Sequence, residues 1–323
     1  MGRAVNNNKY YFITSTMSAT EEQLAAGNAL TAPPAIFDFS DASYLKMAVT
    51  SWPSCSPLGG LPPTVTSTID LESKGGFPLA DITQGSSNMC SAFAMAQAYT
   101  VKYALQTPGG VFPQLSPVYA YYLQRVEECS TSGVCPCPSC KDGSATCTKC
   151  DPPCVDCGSY LLSASSIYGT GVCTSLAWPL TTDLNMPPSE KARKRAGDQR
   201  VSTLVCVNVG DSLASDVILH LSNGNPVVVF LKITSAILQW MQTMVDRAVD
   251  VAKYATVVMP VVQGAASNEG HVVCVVGYDP TADVFIVRNS YGFKWGAQGR
   301  FSIRKSDFTG NLIHEAVAIV AVV

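Results

Sequence analysis

Three side chains of the types that build a thiol nucleophile site lie far apart in this chain. Cys90 begins a run with helical apolar spacing, His271 begins a run typical of a strand, and Asn289 follows the next such run. A thiol is a weak nucleophile at neutral pH, so it needs a base within reach and a group that orients the base. A cysteine, a histidine and an asparagine in contact supply these parts. The sequence therefore predicts that folding brings the three residues into one catalytic site.

Each of the three residues has a distinct expected role. At a helix N-terminus and beside an imidazolium, the Cys90 thiol would have a lowered pKa. His271 would act as general base and then as general acid to the leaving amine, and Asn289 would fix the tautomer of the ring. Taken singly, such residues more often serve packing, but their joint occurrence favours catalysis. His220 and His314 lack comparable neighbours and are expected to be structural.

The motifs around these residues resemble those of the papain-like cysteine peptidases. The pattern Gln-Gly-x-x-x-x-Cys-x-Ala-Phe is met at Gln84–Phe93, and His-x-x-x-x-x-Gly-Tyr is met at His271–Tyr278. The pattern Asn-Ser-aromatic-Gly-x-x-Trp-Gly-x-x-Gly is met at Asn289–Gly299. The resemblance covers roughly Leu61–Val323. It implies an α+β, two-lobed fold with a helical N-terminal lobe and an antiparallel, β-barrel-like C-terminal lobe.

The resemblance also implies an activity and further site residues. The implied activity is that of a cysteine endopeptidase, which acts on peptide or protein substrates and needs no cofactor for catalysis. The Gln84 side chain and the Cys90 backbone N–H would form the oxyanion hole. Gly158 and Ser159 resemble the strip that binds the substrate backbone. Trp295 would shield the Asn289–His271 bond and border the substrate.

Several positions depart from the family pattern. Ser91 stands where an aromatic residue is usual, Ser87 replaces a cysteine that commonly forms a disulfide, and Tyr291 stands where tryptophan is usual. Ser91, Tyr291 and the lack of an evident helical propeptide in residues 1–60 support a second hypothesis. It is a structural or interaction protein on the same fold, with weak or no hydrolysis, that binds partners through a cysteine-rich module. A third reading, acyl transfer or deubiquitination by the same thiol, uses the same residues and stays open.

Eight of the thirteen cysteines fall within one short stretch. They are Cys129, Cys135, Cys137, Cys140, Cys147, Cys150, Cys154 and Cys157. Pairs separated by two residues let both thiolates bind one tetrahedral zinc ion, and eight thiolates suffice for two such sites. A disulfide knot is the open alternative, and an iron–sulfur cluster is a more distant one. We expect a structural zinc module that staples a loop or docks a protein partner.

The pattern of the chain predicts an arm and two lobes. Residues 1–60 are expected to be an N-terminal extension or a pro-segment-like arm, and residues 61–323 a peptidase domain. Within that domain we expect a helical lobe over about 84–190, with the cysteine-rich insertion at 129–157, and a β lobe over about 200–323.

Individual helices and strands are predicted from the spacing of apolar residues and from the residues that cap or break helices. Apolar spacing predicts a helix from Cys90 that stops before Pro108, and Ser116 is expected to cap a helix that begins at Pro117. A further helix is predicted over Ser235–Tyr254. Four strands are predicted beyond residue 200, at about 226–233, 271–278, 283–288 and 300–304, with a last one at 315–323.

Composition excludes some functions. The 323-residue chain has a net charge of −3 and 14% charged residues, so neither nucleic acid nor an anionic membrane is an expected partner. The basic run at 191–195 is interpreted as a solvated loop. No apolar stretch of about 20 residues occurs, and the first residues lack a secretory h-region. We therefore expect an intracellular protein. The resemblance also allows association with a virion or parasite, since divergent papain-like proteins occur there.

Overall fold

The computed structural model describes residues 37–38, 64–76, 83–132, 158–181, 183–245, 250–261 and 269–323. The helices are α1 (Leu71–Gly75), α2 (Cys90–Gln106), α3 (Pro117–Ser132), α4 (Leu161–Thr170), α5 (Glu190–Ala196), α6 (Leu213–Ser222) and α7 (Ser235–Thr243). The strands are β1 (Phe37–Asp38), β2 (Ile69–Asp70), β3 (Val201–Cys206), β4 (Val227–Ile233), β5 (Glu269–Asp279), β6 (Val284–Arg288), β7 (Arg300–Arg304) and β8 (Ile313–Val322). Short 3-10 turns lie at Val251–Thr256 and Lys305–Asp307.

Helix α2 is the central element of the described structure. It contacts α1, α3 and α4 as well as strands β5 and β8. Because it packs against helices and sheet together, it is buried on nearly every face, and Ala98 and Val101 have no exposed surface. The helix predicted from the apolar stripe is confirmed, although burial is wider than one stripe. This position fixes the N-terminus of α2, where Cys90 lies, against the sheet.

Helix α3 begins where its sequence signals predicted. The Tyr119 backbone N–H donates to Ser116 Oγ at 3.2 Å, so Ser116 caps the helix and Pro117 takes its first position. The helix continues to Ser132. The first cysteine of the insertion, Cys129, is therefore on the helix backbone rather than in a loop.

The second half of the chain forms an antiparallel sheet in the order β3-β8-β4-β5-β6-β7. The predicted strands are confirmed, and the structure adds β3, which the sequence analysis did not identify. On β4 and β5, Leu231 lies opposite His271. On β6 and β7, Arg288 lies opposite Arg300, immediately before Asn289. The sheet thus places His271 and Asn289 on neighbouring strands near the same end.

The helix predicted over Ser235–Tyr254 is shorter than expected. Thr234 caps α7, but the helix ends at Thr243. Two carbonyl groups at its end accept hydrogen bonds from another loop: Trp295 Nε1 donates to Met241 at 2.9 Å, and the Gly296 N–H donates to Met244 at 3.0 Å. Tertiary partners therefore satisfy the C-terminal carbonyls, and no further helical turn is required.

Two short strands attach the N-terminal residues to β5. Strand β2 pairs with Gly277 and Tyr278, and the backbone of Ile69 comes so close to Gly277 that a Cβ there would collide with the Ile69 carbonyl oxygen. Strand β1 pairs with Glu269 and Gly270. Since β4 pairs with the same two residues of β5, β1 must lie on the opposite edge, directly before His271.

The architecture agrees with an α+β fold of two lobes, a helical one before and a sheet one after about residue 200. The prediction of a loop at 191–195 is wrong, because this basic run forms α5 with Ser189 as its cap. Its solvated character is confirmed, since its cationic side chains are exposed. Among the described residues, no helix combines the length and the apolarity that a membrane span requires.

Candidate active site

The imidazole of His271 is bound to Asn289, as the sequence predicted. His271 Nε2 and Asn289 Oδ1 are 2.7 Å apart. The Ser290 backbone N–H also donates to Asn289 Oδ1, at 2.8 Å. A backbone N–H can only donate, so this bond fixes which end of the amide faces the ring. Nε2 of His271 must therefore carry the proton, and Nδ1 is left as the basic nitrogen.

Burial determines the charge of His271. The side chain is 1% exposed, and burial lowers its pKa to about 4, while the hydrogen bond to Asn289 acts in the opposite direction. A depressed pKa favours the neutral ring. At neutral pH the residue is therefore an unprotonated base that can accept a proton at Nδ1.

Two aromatic rings cover this histidine. Tyr291 stacks on His271 with ring centroids 5.0 Å apart, and Trp295 meets Tyr291 edge-on at 5.7 Å. Trp295 is 1% exposed, and its indole N–H is engaged by Met241. The tryptophan therefore supports the shielding ring from beneath. A direct substrate contact by Trp295, expected from the resemblance, does not fit this burial.

Cys90 lies at the start of α2, close enough to Tyr291 for its charge to act on that side chain. Burial raises the pKa of Tyr291 well above its ordinary value, and the charge of Cys90 raises it further. Gln97, two turns along the same helix, donates from Nε2 to the Asn289 carbonyl at 3.1 Å. The nucleophile helix and the Asn289 segment are held together directly.

Hydrogen bonds hold both the nitrogen and the oxygen of the Gln84 side-chain amide. Its Nε2 donates to the Ser87 carbonyl at 2.6 Å, and its Oε1 accepts from Ser290 Oγ. The Gln84 backbone N–H also donates to the Ser290 carbonyl, at 2.9 Å. An amide nitrogen has two hydrogens. Among the described residues, Ser87 engages one of them, which leaves the second as the donor that an oxyanion hole requires.

The strip at Gly158 and Ser159 is anchored in the helical lobe. The Gly158 N–H donates to the Tyr121 hydroxyl at 2.9 Å. Ser159 is 3% exposed, and its hydroxyl contacts Gln124 Oε1 at 2.8 Å and Glu128 Oε1 at 3.0 Å. Because the Ser159 side chain faces inward, any substrate contact at this strip would fall to backbone atoms.

Ser91 belongs to the same buried polar group. Its hydroxyl donates to Gln124 Oε1 at 3.0 Å, so Gln124 joins the residue after the nucleophile to Ser159. A hydroxyl thus replaces the aromatic residue usual at this position, and a side-chain hydrogen bond replaces its packing.

The predicted metal ligands lie outside the described side chains. Cys135, Cys137, Cys140, Cys147, Cys150, Cys154 and Cys157 are not among the described residues, and for Cys129 only the place in α3 is described. Within the described ranges no group of three or more His, Cys, Asp or Glu side chains is arranged to hold a metal ion. The zinc interpretation therefore stays a prediction.

Sequence reasoning missed several residues that organise the site. It did not assign roles to Gln97, which binds the Asn289 carbonyl, or to Ser290, which orients Gln84. Buried polar residues near a proposed nucleophile were the available signal for Gln97. It also missed Glu72 and Arg288, whose pairing spans 216 positions of sequence.

Comparisons with known proteins show what this chain is similar to in sequence and in fold. Residues 196–311, which include His271 and Asn289 but not Cys90, match the model of the Peptidase_C39 like family. An uncharacterized peptidase C1-like protein, L477 of Acanthamoeba polyphaga mimivirus, is 26% identical over 233 residues, covering 70% of this chain. The match spans only 64% of the length of that relative.

Solved structures share the fold over most of the chain. Xylellain, a cysteine protease from Xylella fastidiosa, has a TM-score of 0.56 and 17% identity, with 88% of this chain and 91% of that chain covered. The digestive procathepsin L 3 of the Tenebrio molitor larval midgut has a TM-score of 0.53 and 17% identity, with coverage of 92% and 77%. The chain therefore has the fold of the papain-like cysteine proteases that these structures represent.

Proposed function

We propose that this protein is a cysteine endopeptidase whose nucleophile is Cys90. The observation that carries the proposal is the bond between His271 Nε2 and Asn289 Oδ1, because it leaves Nδ1 as the base on a neutral ring. The placement of Cys90 at the start of a buried helix, beside the ring stacked on His271, supports the assignment of the thiol.

The reaction follows from these roles. His271 Nδ1 takes the proton of the Cys90 thiol, and the thiolate sulfur bonds to the carbonyl carbon of the substrate. The Gln84 side-chain N–H and the Cys90 backbone N–H stabilise the resulting oxyanion. The imidazolium then gives its proton to the amine as the C–N bond breaks. Water, deprotonated by the same ring, attacks the thioester and releases the acid product and the thiol.

Substitution of the nucleophile tests the proposal. Cys90→Ala is expected to abolish hydrolysis of a peptide library and labelling by an epoxide that traps active-site thiols. Cys173→Ala is the matched control, because burial raises the pKa of that thiol to about 12 and makes it unreactive. Full activity of Cys90→Ala would refute the proposal. A wild-type protein that neither cleaves nor becomes labelled would favour the rival interaction protein.

We further propose that the N-terminal residues form a pro-segment-like, inhibitory arm. The support is the pairing of Phe37 and Asp38 with Gly270 and Glu269, which adds a strand to β5 one residue before His271. An extended peptide that binds a sheet edge uses the same backbone groups that such a strand occupies. The segment at Trp52–Cys55, which we expected near the cleft, lies outside the described residues.

A further inference from the structure

A buried cluster of ion pairs connects the segment before the nucleophile to the strand that ends at Asn289. We propose that Glu72, in α1, is a positioning residue for the Cys90, His271 and Asn289 site and acts through Arg288. The inference rests on the proposed function, since it assigns a role in the same reaction. Glu72 does not touch the reacting groups.

Glu72 holds two guanidinium groups at once. Arg288 Nε donates to Glu72 Oε1 at 2.8 Å, and Arg288 Nη2 donates to Oε2 at 2.6 Å. Arg300 Nε donates to Oε2 at 2.5 Å. Both arginines are 5% exposed, as is Glu72. Bidentate pairing of this kind fixes the plane of the guanidinium as well as its distance.

Asp70 completes the charge balance of the cluster. Its two carboxylate oxygens accept from Arg300 at 2.8 and 3.1 Å, while the same side chain caps α1. Burial would raise the pKa of Asp70, but the charge of Arg300 holds it below its ordinary value. Two carboxylates therefore face two guanidiniums. Of the two arginines, Asp70 pairs with Arg300, whereas Glu72 pairs with both, which separates the role of Asp70 from that of Glu72.

A continuous path of contacts leads from Glu72 to Asn289. The third nitrogen of Arg288, Nη1, donates to the Gln298 carbonyl at 2.5 Å. The following residue, Gly299, has φ +82 and accepts the Asn289 N–H at 2.8 Å. A Cβ on Gly299 would lie 2.7 Å from Arg288 Nη1, so only glycine leaves room for this guanidinium. The orientation of Arg288 therefore sets the loop that anchors the Asn289 backbone.

The consequence for chemistry follows from the geometry of the site. Asn289 orients the His271 ring through one hydrogen bond, so a small shift of the Asn289 backbone turns the ring away from the thiol. A misplacement of about 1 Å in a catalytic group can reduce a rate about a hundredfold. The ion pairs of Glu72 thus affect kcat rather than substrate binding.

The test compares two variants of matched structural severity. Glu72→Asp keeps the charge but draws the carboxylate back from Arg288, whereas Asp70→Asn loses the pair with Arg300 and weakens the cap of α1. We expect Glu72→Asp to lower kcat tenfold to a hundredfold with KM changed less than twofold. Asp70→Asn is expected to keep kcat within twofold. Rates are divided by the number of active sites titrated with the epoxide, so that misfolded protein does not count.

A second readout needs no activity. The chain has three histidines, so nitrogen NMR of protein labelled at histidine resolves each ring. In the wild type, His271 should show the tautomer with the proton on Nε2. In Glu72→Asp this signal should shift or broaden, while that of His220, which lies on α6 away from the cluster, stays in place.

The outcomes separate the inference from the proposed function. An unchanged kcat per titrated site and an unchanged His271 signal in Glu72→Asp would overturn the positioning role. Equal losses in Glu72→Asp and Asp70→Asn would overturn it as well. A wild-type protein that is neither labelled nor active refutes the proposed function instead, and the His271 signal then still tests whether Glu72 positions the ring.

Discussion

At the scale of single residues, the chemistry depends on which nitrogen of His271 is protonated. The Ser290 N–H fixes the amide of Asn289, the amide fixes Nε2–H, and Nδ1 becomes the base. Sequence motifs predicted the three principal residues because each has a distinctive local pattern. They did not predict Gln97 or Ser290 as supporting residues, because a hydrogen bond between distant segments leaves no local periodicity.

Tyr291 illustrates how a departure from the family pattern is accommodated. Its ring stacks on His271, and its buried hydroxyl has no hydrogen-bond partner among the described residues. A buried hydroxyl without a partner costs about 1–3 kcal/mol of stability. We therefore expect the ring of Tyr291, rather than its hydroxyl, to matter for the reaction.

Two substitutions at Tyr291 test this division. Tyr291→Phe keeps the ring and is expected to raise the melting temperature and leave kcat within about twofold. Tyr291→Ala exposes the His271–Asn289 bond to water and should lower kcat at least tenfold; loss of a buried aromatic ring also costs about 3–5 kcal/mol. Thermal unfolding and steady-state kinetics measure both. A large loss of kcat in Tyr291→Phe would show that the hydroxyl takes part in the reaction.

At the scale of secondary-structure elements, local sequence signals predicted where helices begin better than where they end. Ser116 and Pro117 start α3 as expected, because a cap is a local interaction. The end of α7 was not predictable, because the carbonyls of Met241 and Met244 are satisfied by Trp295 and Gly296 from a loop more than fifty residues later. Strand β3 was likewise missed. Its burial pattern is irregular, so it lacks the alternation by which strands are recognised.

The cysteine-rich insertion begins within the last turn of α3, which suits a module attached to a helix end. We predict about two zinc ions per chain by metal analysis of the purified protein. Cys154→Ser with Cys157→Ser should lower the content by one ion, whereas Cys173→Ser should not change it. Absence of zinc together with thiols that react only after reduction would instead show disulfides.

At the scale of the whole molecule, two halves of the chain contribute separate parts of the proposed site. The helical half contains Cys90 and Gln84, and the sheet half contains His271 and Asn289. The contacts that lock the halves together, from Gln97 and from Glu72, join residues about two hundred positions apart. Such pairs are fixed by the tertiary fold, which is why the sequence alone did not identify them.

The arm adds a prediction at this scale. Removal of residues 1–60 should raise kcat/KM at least tenfold, because it frees the edge of β5 beside His271. Prolines at Phe37 and Asp38 should act in the same direction, since proline removes the backbone N–H that pairing requires. Prolines at Asn7 and Asn8 serve as the control. Equal activity of the full chain and the shortened chain would contradict an inhibitory arm.

The most direct test of the whole account is the pH dependence of Cys90 alkylation by iodoacetamide, followed by peptide mapping. If His271 Nδ1 takes the thiol proton, the imidazolium that forms stabilises the thiolate, so Cys90 should react well below the ordinary cysteine pKa of about 8.5. In His271→Ala that reactivity should disappear, while in His220→Ala it should persist. The account would be contradicted if Cys90 were alkylated with the pH dependence of an ordinary thiol and that dependence were identical in the wild type and in His271→Ala.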